Sequence, residues 1–267
     1  MRTPRVPALN GRLDDPVWSA VARSPRFSDM ATGGPALYDT RAAAVWDEQA
    51  LYIGFWVEEP YPSAELTERD SIIFTENDVE VFIDGGDCYY ELEMNALGTI
   101  YEVLFVWRDA WRRGSRFDIP ELDPDVGNGF TFAGDDDRSG ATFWRGSHPR
   151  GVRWAFPTWD LPGLRWAVHV DGALNDPAVV SRGWTAELAI PWEGLRLVAG
   201  ERTLPPRDGD VWRLFFGRFQ KLVLGGHELQ PHPAWVWTPH GVADTHQPER
   251  WTTLEFSETT LELPTGT

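Results

Sequence analysis

The chain has 267 residues with 41 acidic against 24 basic side chains, a formal net charge of −17 at pH 7. Such a surface repels phosphates, which argues against nucleic acid and anionic membranes as partners. Hydrophobic residues at 42% and charged residues at 24% allow a packed core and exclude a chain disordered throughout. No run approaches the roughly 18 apolar residues of a membrane-spanning helix, and the first ten residues hold no apolar signal region. A cytoplasmic protein is therefore expected, or an extracellular one if the true start lies upstream. Cys88 is the single cysteine, so no intramolecular disulfide framework forms. Fifteen tryptophans, 25 glycines and 21 prolines, with few stretches suited to long helices, point to strands and turns.

In chain order, period-2 alternation predicts nine strands, over 42–46, 51–57, 79–84, 89–95, 100–107, 164–171, 184–190, 211–219 and 252–256. Turn-rich stretches separate them, among them 85–88 and 96–99. The fold class expected is all-β: one antiparallel β-sandwich of the jelly-roll kind, forming a single domain over 1–267. Between 108 and 150 the alternation gives way to Gly, Pro, Asp and Arg, which reads as a loop-rich insertion leaving the sandwich. The polar tail over 257–267 is expected to fray.

The hairpin closed by 85–88 carries the first chemical signal. If Asp84 pairs with Tyr89, then Val79, Val81, Ile83, Tyr90, Leu92 and Met94 share a core face. The opposite face then holds Glu80, Phe82 and Asp84 beside Tyr89, Glu91 and Glu93, with Glu80 directly across from Glu93. Carrying the register through 96–99 sets Glu93 opposite Glu102, a row of three carboxylates. Like charges so placed need compensation by an arginine, a divalent cation, a shared proton or the hydroxyls of a bound sugar.

Several runs resemble carbohydrate-binding module family 9: Leu13-Asp14-Asp15-Pro16-Val17-Trp18, Val45-Trp46-Asp47-Glu48, Asn77-Asp78-Val79-Glu80-Val81-Phe82-Ile83-Asp84 and Tyr90-Glu91-Leu92-Glu93-Met94-Asn95. The match continues with Gly183-Trp184-Thr185-Ala186-Glu187-Leu188-Ala189-Ile190-Pro191-Trp192, with Trp237-Thr238-Pro239 and with His246-Gln247-Pro248-Glu249-Arg250. The resemblance spans most of 9–256 apart from 108–150. It implies a β-sandwich of the DOMON-like superfamily, an oligosaccharide or polysaccharide ligand and, from the family's habit, structural calcium. Phe74 stands where the family's sugar binders carry one stacking tryptophan, and Glu80 matches the glutamate that bonds sugar hydroxyls. Glu93 stands where they carry an arginine, and Thr245 or His246 where they carry the second tryptophan. Trp235, Trp237 or Trp251 are the remaining aromatic platforms. Trp18, Trp46, Trp184, Trp192 and Trp212 are assigned to packing.

For calcium the acidic stretches are 84–87, with Asp84 and Asp87 as ligands, and 135–137. His240, Asp244, His246 and Glu249 are ligand-type residues without a metal-motif spacing, and are expected to tie down the C-terminal strand instead. The function expected is non-catalytic carbohydrate binding by a face presenting Phe74, Glu80, Glu93, Asn95, Trp235 and Trp237, in the service of carbohydrate catabolism. The alternatives are a scaffold domain that has lost its sugar site, a glycosidase using Glu80 and Glu93 or Glu93 and Glu102 or a domain associated with one, and a haem-binding DOMON-like domain with Met30 or Met94 and a histidine as axial ligands.

Overall fold

The computed structural model describes residues 1–126, 129–132 and 148–264. Along the chain run β1 (Ser28–Asp29), β2 (Thr40–Trp46), β3 (Ala50–Glu58), β4 (Asp78–Asp84), β5 (Cys88–Asn95), β6 (Ile100–Trp107), β7 (Phe130–Phe132) and β8 (Arg153–Phe156). They are followed by β9 (Arg165–Asp171), β10 (Gly183–Pro191), β11 (Val211–Phe219), β12 (Val223–Leu224), β13 (His227–Glu228), β14 (Ala234–Val236) and β15 (Thr252–Glu255). All nine expected strands are present within one or two residues of their expected ends. The larger sheet has the order β1-β14-β11-β4-β5-β6-β8-β7 with β15 also on β11, the smaller β2-β3-β10-β9, and β12 and β13 form a separate hairpin. Every pairing within these sheets is antiparallel.

The two sheets enclose the main core, where Val79, Val81, Ile83, Tyr90, Leu92 and Met94 meet Ile53, Phe55, Ala186, Leu188 and Ile190, the face that alternation assigned to them. Trp46, Trp192, Trp212 and Phe256 close one end of it edge to face. The smaller sheet is covered on its outside by the N-terminal segment. There Asp15 caps the short helix α1 (Pro16–Ala20), its carboxylate accepting from the Val17 N–H, and α1 sets Val17 and Trp18 against Ala43, Val45 and Tyr52. The buried Glu187 carboxylate on β10 ties this cover down. It accepts from the Trp18 indole at 2.7 Å and from the backbone N–H groups of Asn10 and Gly11 at 2.7 and 2.6 Å.

Two expectations change. The insertion over 108–150 does not simply leave the sandwich: Phe117 and Leu122 are buried in the main core, and β7 adds an edge strand on β8. The tail is pinned as far as Leu261, whose N–H donates to the Arg2 carbonyl and whose side chain is buried, because the N-terminal segment offers it a backbone partner. No helix among the described residues is long and apolar enough to cross a membrane.

Replacing Glu187 by alanine would strand the buried indole and the Gly11 N–H and remove the acceptor of the part-buried Asn10 N–H. Glu187→Ala is therefore expected to lower stability by about 2–4 kcal/mol. Glu187→Gln, which keeps one acceptor oxygen, should recover part of that in thermal unfolding.

Candidate functional site

Strand pairing places Asp84 across from Tyr89 and Glu80 across from Glu93, as alternation required. The next turn differs. Asn95 N–H donates to the Thr99 carbonyl, Gly98 sits at φ +83°, and the Asn95 amide oxygen accepts from the Leu97 and Thr99 N–H groups. This closes a loop of three residues, which shifts β6 by one position. Glu93 therefore faces Tyr101, and Glu102 pairs with Leu92 and turns into the core. There Glu102 accepts from the Tyr90 hydroxyl and the Leu161 N–H and pairs with Arg69. The third carboxylate beside Glu80 and Glu93 is instead Asp78, on the same face of β4 and two residues before Glu80.

That face is closed. Phe82, Tyr89, Val103, Phe105 and Phe215 project from it, and Met30, Val236 and Trp251 pack over them as a second core. Trp251 stands edge-on to both Phe82 and Tyr89, and its indole donates to the Thr245 carbonyl. His246 enters the same layer, its Nδ1 2.9 Å from the Tyr89 hydroxyl and 3.6 Å from Glu91 Oε2. Arg153 donates to the Tyr89 hydroxyl and lies over the Trp107 ring.

Asp78, Glu80, Glu91 and Glu93 are all buried beneath this cover. Asp78 Oδ1 accepts from the Phe219 N–H, but Asp78 Oδ2, Glu80 Oε2, Glu91 Oε2 and Glu93 Oε2 have no hydrogen-bond partner. Burial, and then the neighbouring carboxylates, push Glu80 and Glu93 well above the usual carboxylate range. Burial does the same to Asp78 against the opposing Phe219 N–H, and raises Glu91 to about 8.

The other expected site residues separate. Phe74 is exposed and meets Tyr101 edge to face. Asn95 is fully buried, its amide donating to the Leu66 carbonyl and Glu76 while its oxygen caps the turn. Trp235 is buried in the main core against Tyr38 and Arg218, and Trp237 is half-buried on Phe216, so neither offers a free face on the acidic strands. Asp84 pairs with Arg213, and Asp87 with Arg116 and Arg150. The turn thus already holds its counter-charges and does not fit the calcium expected of it; the stretch 135–137 lies outside the described residues. His240 bonds the Asp244 carbonyl, Glu249 reaches His148, and the two histidines and their acids do not converge on one point.

A concave site that alternation did not reveal lies at the ends of β3, β4 and β11. It is a groove of about 480 Å³ lined by Tyr38, Tyr61, Glu65, Glu76, Lys221 and the residues beneath them. Its floor is a buried network. Glu59 accepts from the Trp184 indole at 2.8 Å, from Gln220 at 3.3 Å and from the Asn77 amide, and Arg218 lies 3.6 Å from it. Arg218 also donates to the Thr40 hydroxyl and the Glu58 carbonyl at 2.9 Å, joining the two sheets. Burial lowers the Arg218 guanidinium to about 10 against the attraction of Glu59. Above this fixed floor Tyr61, Ser63 and Glu65 are exposed.

No protein-family model and no curated protein matches the chain. Among solved structures it is similar to a candidate carbohydrate-binding protein from Bacteroides uniformis ATCC 8492, with TM-score 0.52 and 15% identity over 96% of this chain and 98% of that one. It is similar also to a carbohydrate-binding module family 9 from Caldicellulosiruptor kristjanssonii solved with cellotriose, with TM-score 0.51 and 11% identity over 96% and 92%. The chain has the fold of a family 9 carbohydrate-binding module. In this family 9 fold, the glutamate that the motif match singles out, Glu80, lies under the second core and out of contact with solvent.

Carboxyls whose folded pKa is raised above the unfolded value stabilise fully below the unfolded value and lose that contribution as pH rises through the folded one. In chelator, thermal stability is therefore expected to fall from the ordinary carboxylate range through about pH 8. Glu80→Gln should flatten that fall and raise the midpoint at pH 8 by about 4 °C or more, the equivalent of roughly 2 kcal/mol. A stability profile that rises over this range would contradict it.

Proposed function

We propose that this protein is a non-catalytic carbohydrate-binding protein, and that it takes an oligosaccharide in the groove at the ends of β3, β4 and β11. The observation that carries this reading is the groove itself. Its volume falls in the range of roughly 300–1,000 Å³ typical of small-molecule sites. It combines an exposed tyrosine face with carboxylate, amide and ammonium groups over a floor that hydrogen bonds hold rigid.

Sugar rings present apolar C–H patches that pack on aromatic faces, while their hydroxyls need charged or amide partners. Tyr61 supplies the first and the exposed Glu65 the second, beside Lys221, which is paired with Glu228, and Glu76, which accepts from the Glu65 and Leu66 N–H groups and the Asn95 amide. The fold shared with a module solved with cellotriose supports a sugar ligand. The burial of Glu80 and Glu93 favours binding over hydrolysis, because a glycosidic bond has no route between them. A role as an accessory in carbohydrate catabolism fits a binding protein of this kind.

Titration calorimetry with a panel of soluble β- and α-linked oligosaccharides tests the reading. Saturable binding to one linkage class is expected, and Tyr61→Ala should weaken it at least tenfold, about 1.4 kcal/mol, with the thermal midpoint unchanged. Glu80→Gln should leave affinity within twofold. Binding that survives Tyr61→Ala, or a folded wild-type protein silent across the panel, would overturn the assignment.

A further inference from the structure

Asp78, Glu80 and Glu93 bring one ligand oxygen each to within 4.8 Å of one another, with no histidine or cysteine in the set, and among the described residues no other group of three ligand-type side chains does so. All three side chains are more than nine-tenths buried, and each has an oxygen that accepts no hydrogen bond: Asp78 Oδ2, Glu80 Oε2 and Glu93 Oε2. Glu91, from the same face of β5, adds a fourth buried carboxylate, whose Oε2 accepts no hydrogen bond and lies 3.6 Å from His246 Nδ1. The positive groups nearby serve other partners. Arg218 is committed to Thr40, Glu58 and Gln220 across the main core, and His246 Nδ1 to the Tyr89 hydroxyl. Three converging buried carboxylates, each with an oxygen that accepts no hydrogen bond, are an arrangement that a cation completes.

We propose that Asp78, Glu80 and Glu93 form a buried binding site for a single hard divalent cation, for which calcium is the best fit. An all-carboxylate donor set favours hard ions over zinc and copper, whose sites draw mostly on sulfur and nitrogen. The three carboxylates bring one oxygen each to the point of convergence, Asp78 Oδ1 being held by the Phe219 N–H, and calcium takes oxygen ligands in irregular geometry. Magnesium sheds its waters reluctantly and demands a near-ideal octahedron, which a closed apolar layer does not favour. The site is distinct from the turn that carries Asp84 and Asp87, and it lies outside the lining of the groove, so it stands or falls independently of sugar binding.

The test uses the whole chain. Protein is unfolded in guanidinium with a chelator, freed of both, and refolded with or without calcium chloride, so that a slow route into a buried site does not hide binding. One calcium per chain by elemental analysis after desalting is expected, with a thermal midpoint at pH 8 that rises with calcium concentration and moves less with magnesium. Glu80→Gln and Glu93→Gln, which remove repulsion and should fold at least as well, are expected to lose the bound ion and the calcium-dependent shift. Asp87→Asn should keep both. A folded wild-type chain that retains no calcium and shows no shift would mean that protons alone neutralise the cluster and would overturn the proposal. Glutamine variants that hold calcium as tightly as wild type would overturn it equally, by locating the ion elsewhere.

Discussion

The antiparallel pairing of β4 with β5 sets a constraint that the rest of the outer face answers. It puts Glu80 across from Glu93 with Asp78 and Glu91 beside them, and the chain then buries all four. A buried unpaired carboxylate is among the more costly features a fold can carry. The aromatic layer of Phe82, Tyr89, Phe105 and Trp251 and the inward turn of His246 are arranged around that cost. Protonation or a cation is what makes the layer compatible with a stable protein.

The same strand separates two kinds of chemistry. At the start of β4, Asn77 joins Glu59 and Gln220 in a hydrogen-bonded network, and above it the groove opens to solvent. One residue on, Asp78 points the other way, into the closed acidic cluster. Alternation along a strand thus gives the protein an open polar groove at a strand end and a sealed charged site behind it. The fold is shared with a module solved with cellotriose, but exposed Tyr61 and Glu65 stand over the groove while Glu80 and Glu93 are buried.

Much of this was legible in the sequence. Alternation gave the strands, the inner face and the Glu80–Glu93 confrontation, because side chains on adjacent strands follow strictly from the register of a tight hairpin. It failed at 96–99, where an Asn95-capped loop with Gly98 at positive φ holds one residue more than a two-residue turn and sends Glu102 into the core. Asp78 was within reach, since it shares parity with Glu80. What no local pattern could show was the cover: Met30, Val236 and Trp251 come from segments far apart in the chain and turn an apparently open face into a second core. The groove was hidden for the same reason, as Tyr61, Glu76 and Lys221 meet only through the packing of three strand ends. Trp235 and Trp237 looked like platforms because their number and position in the motif said nothing of which way β14 turns them.

Hydrogen–deuterium exchange with and without a saturating oligosaccharide tests most directly the claim that recognition belongs to the groove and the acidic strands are sealed. Groove recognition requires added protection over residues 59–66 and 220–223, with the amides of 79–83 and 90–94 unchanged. Protection that instead appears along β4, β5 and 240–251, with the groove segments unaffected, would contradict it and return the sugar to Glu80 and Glu93.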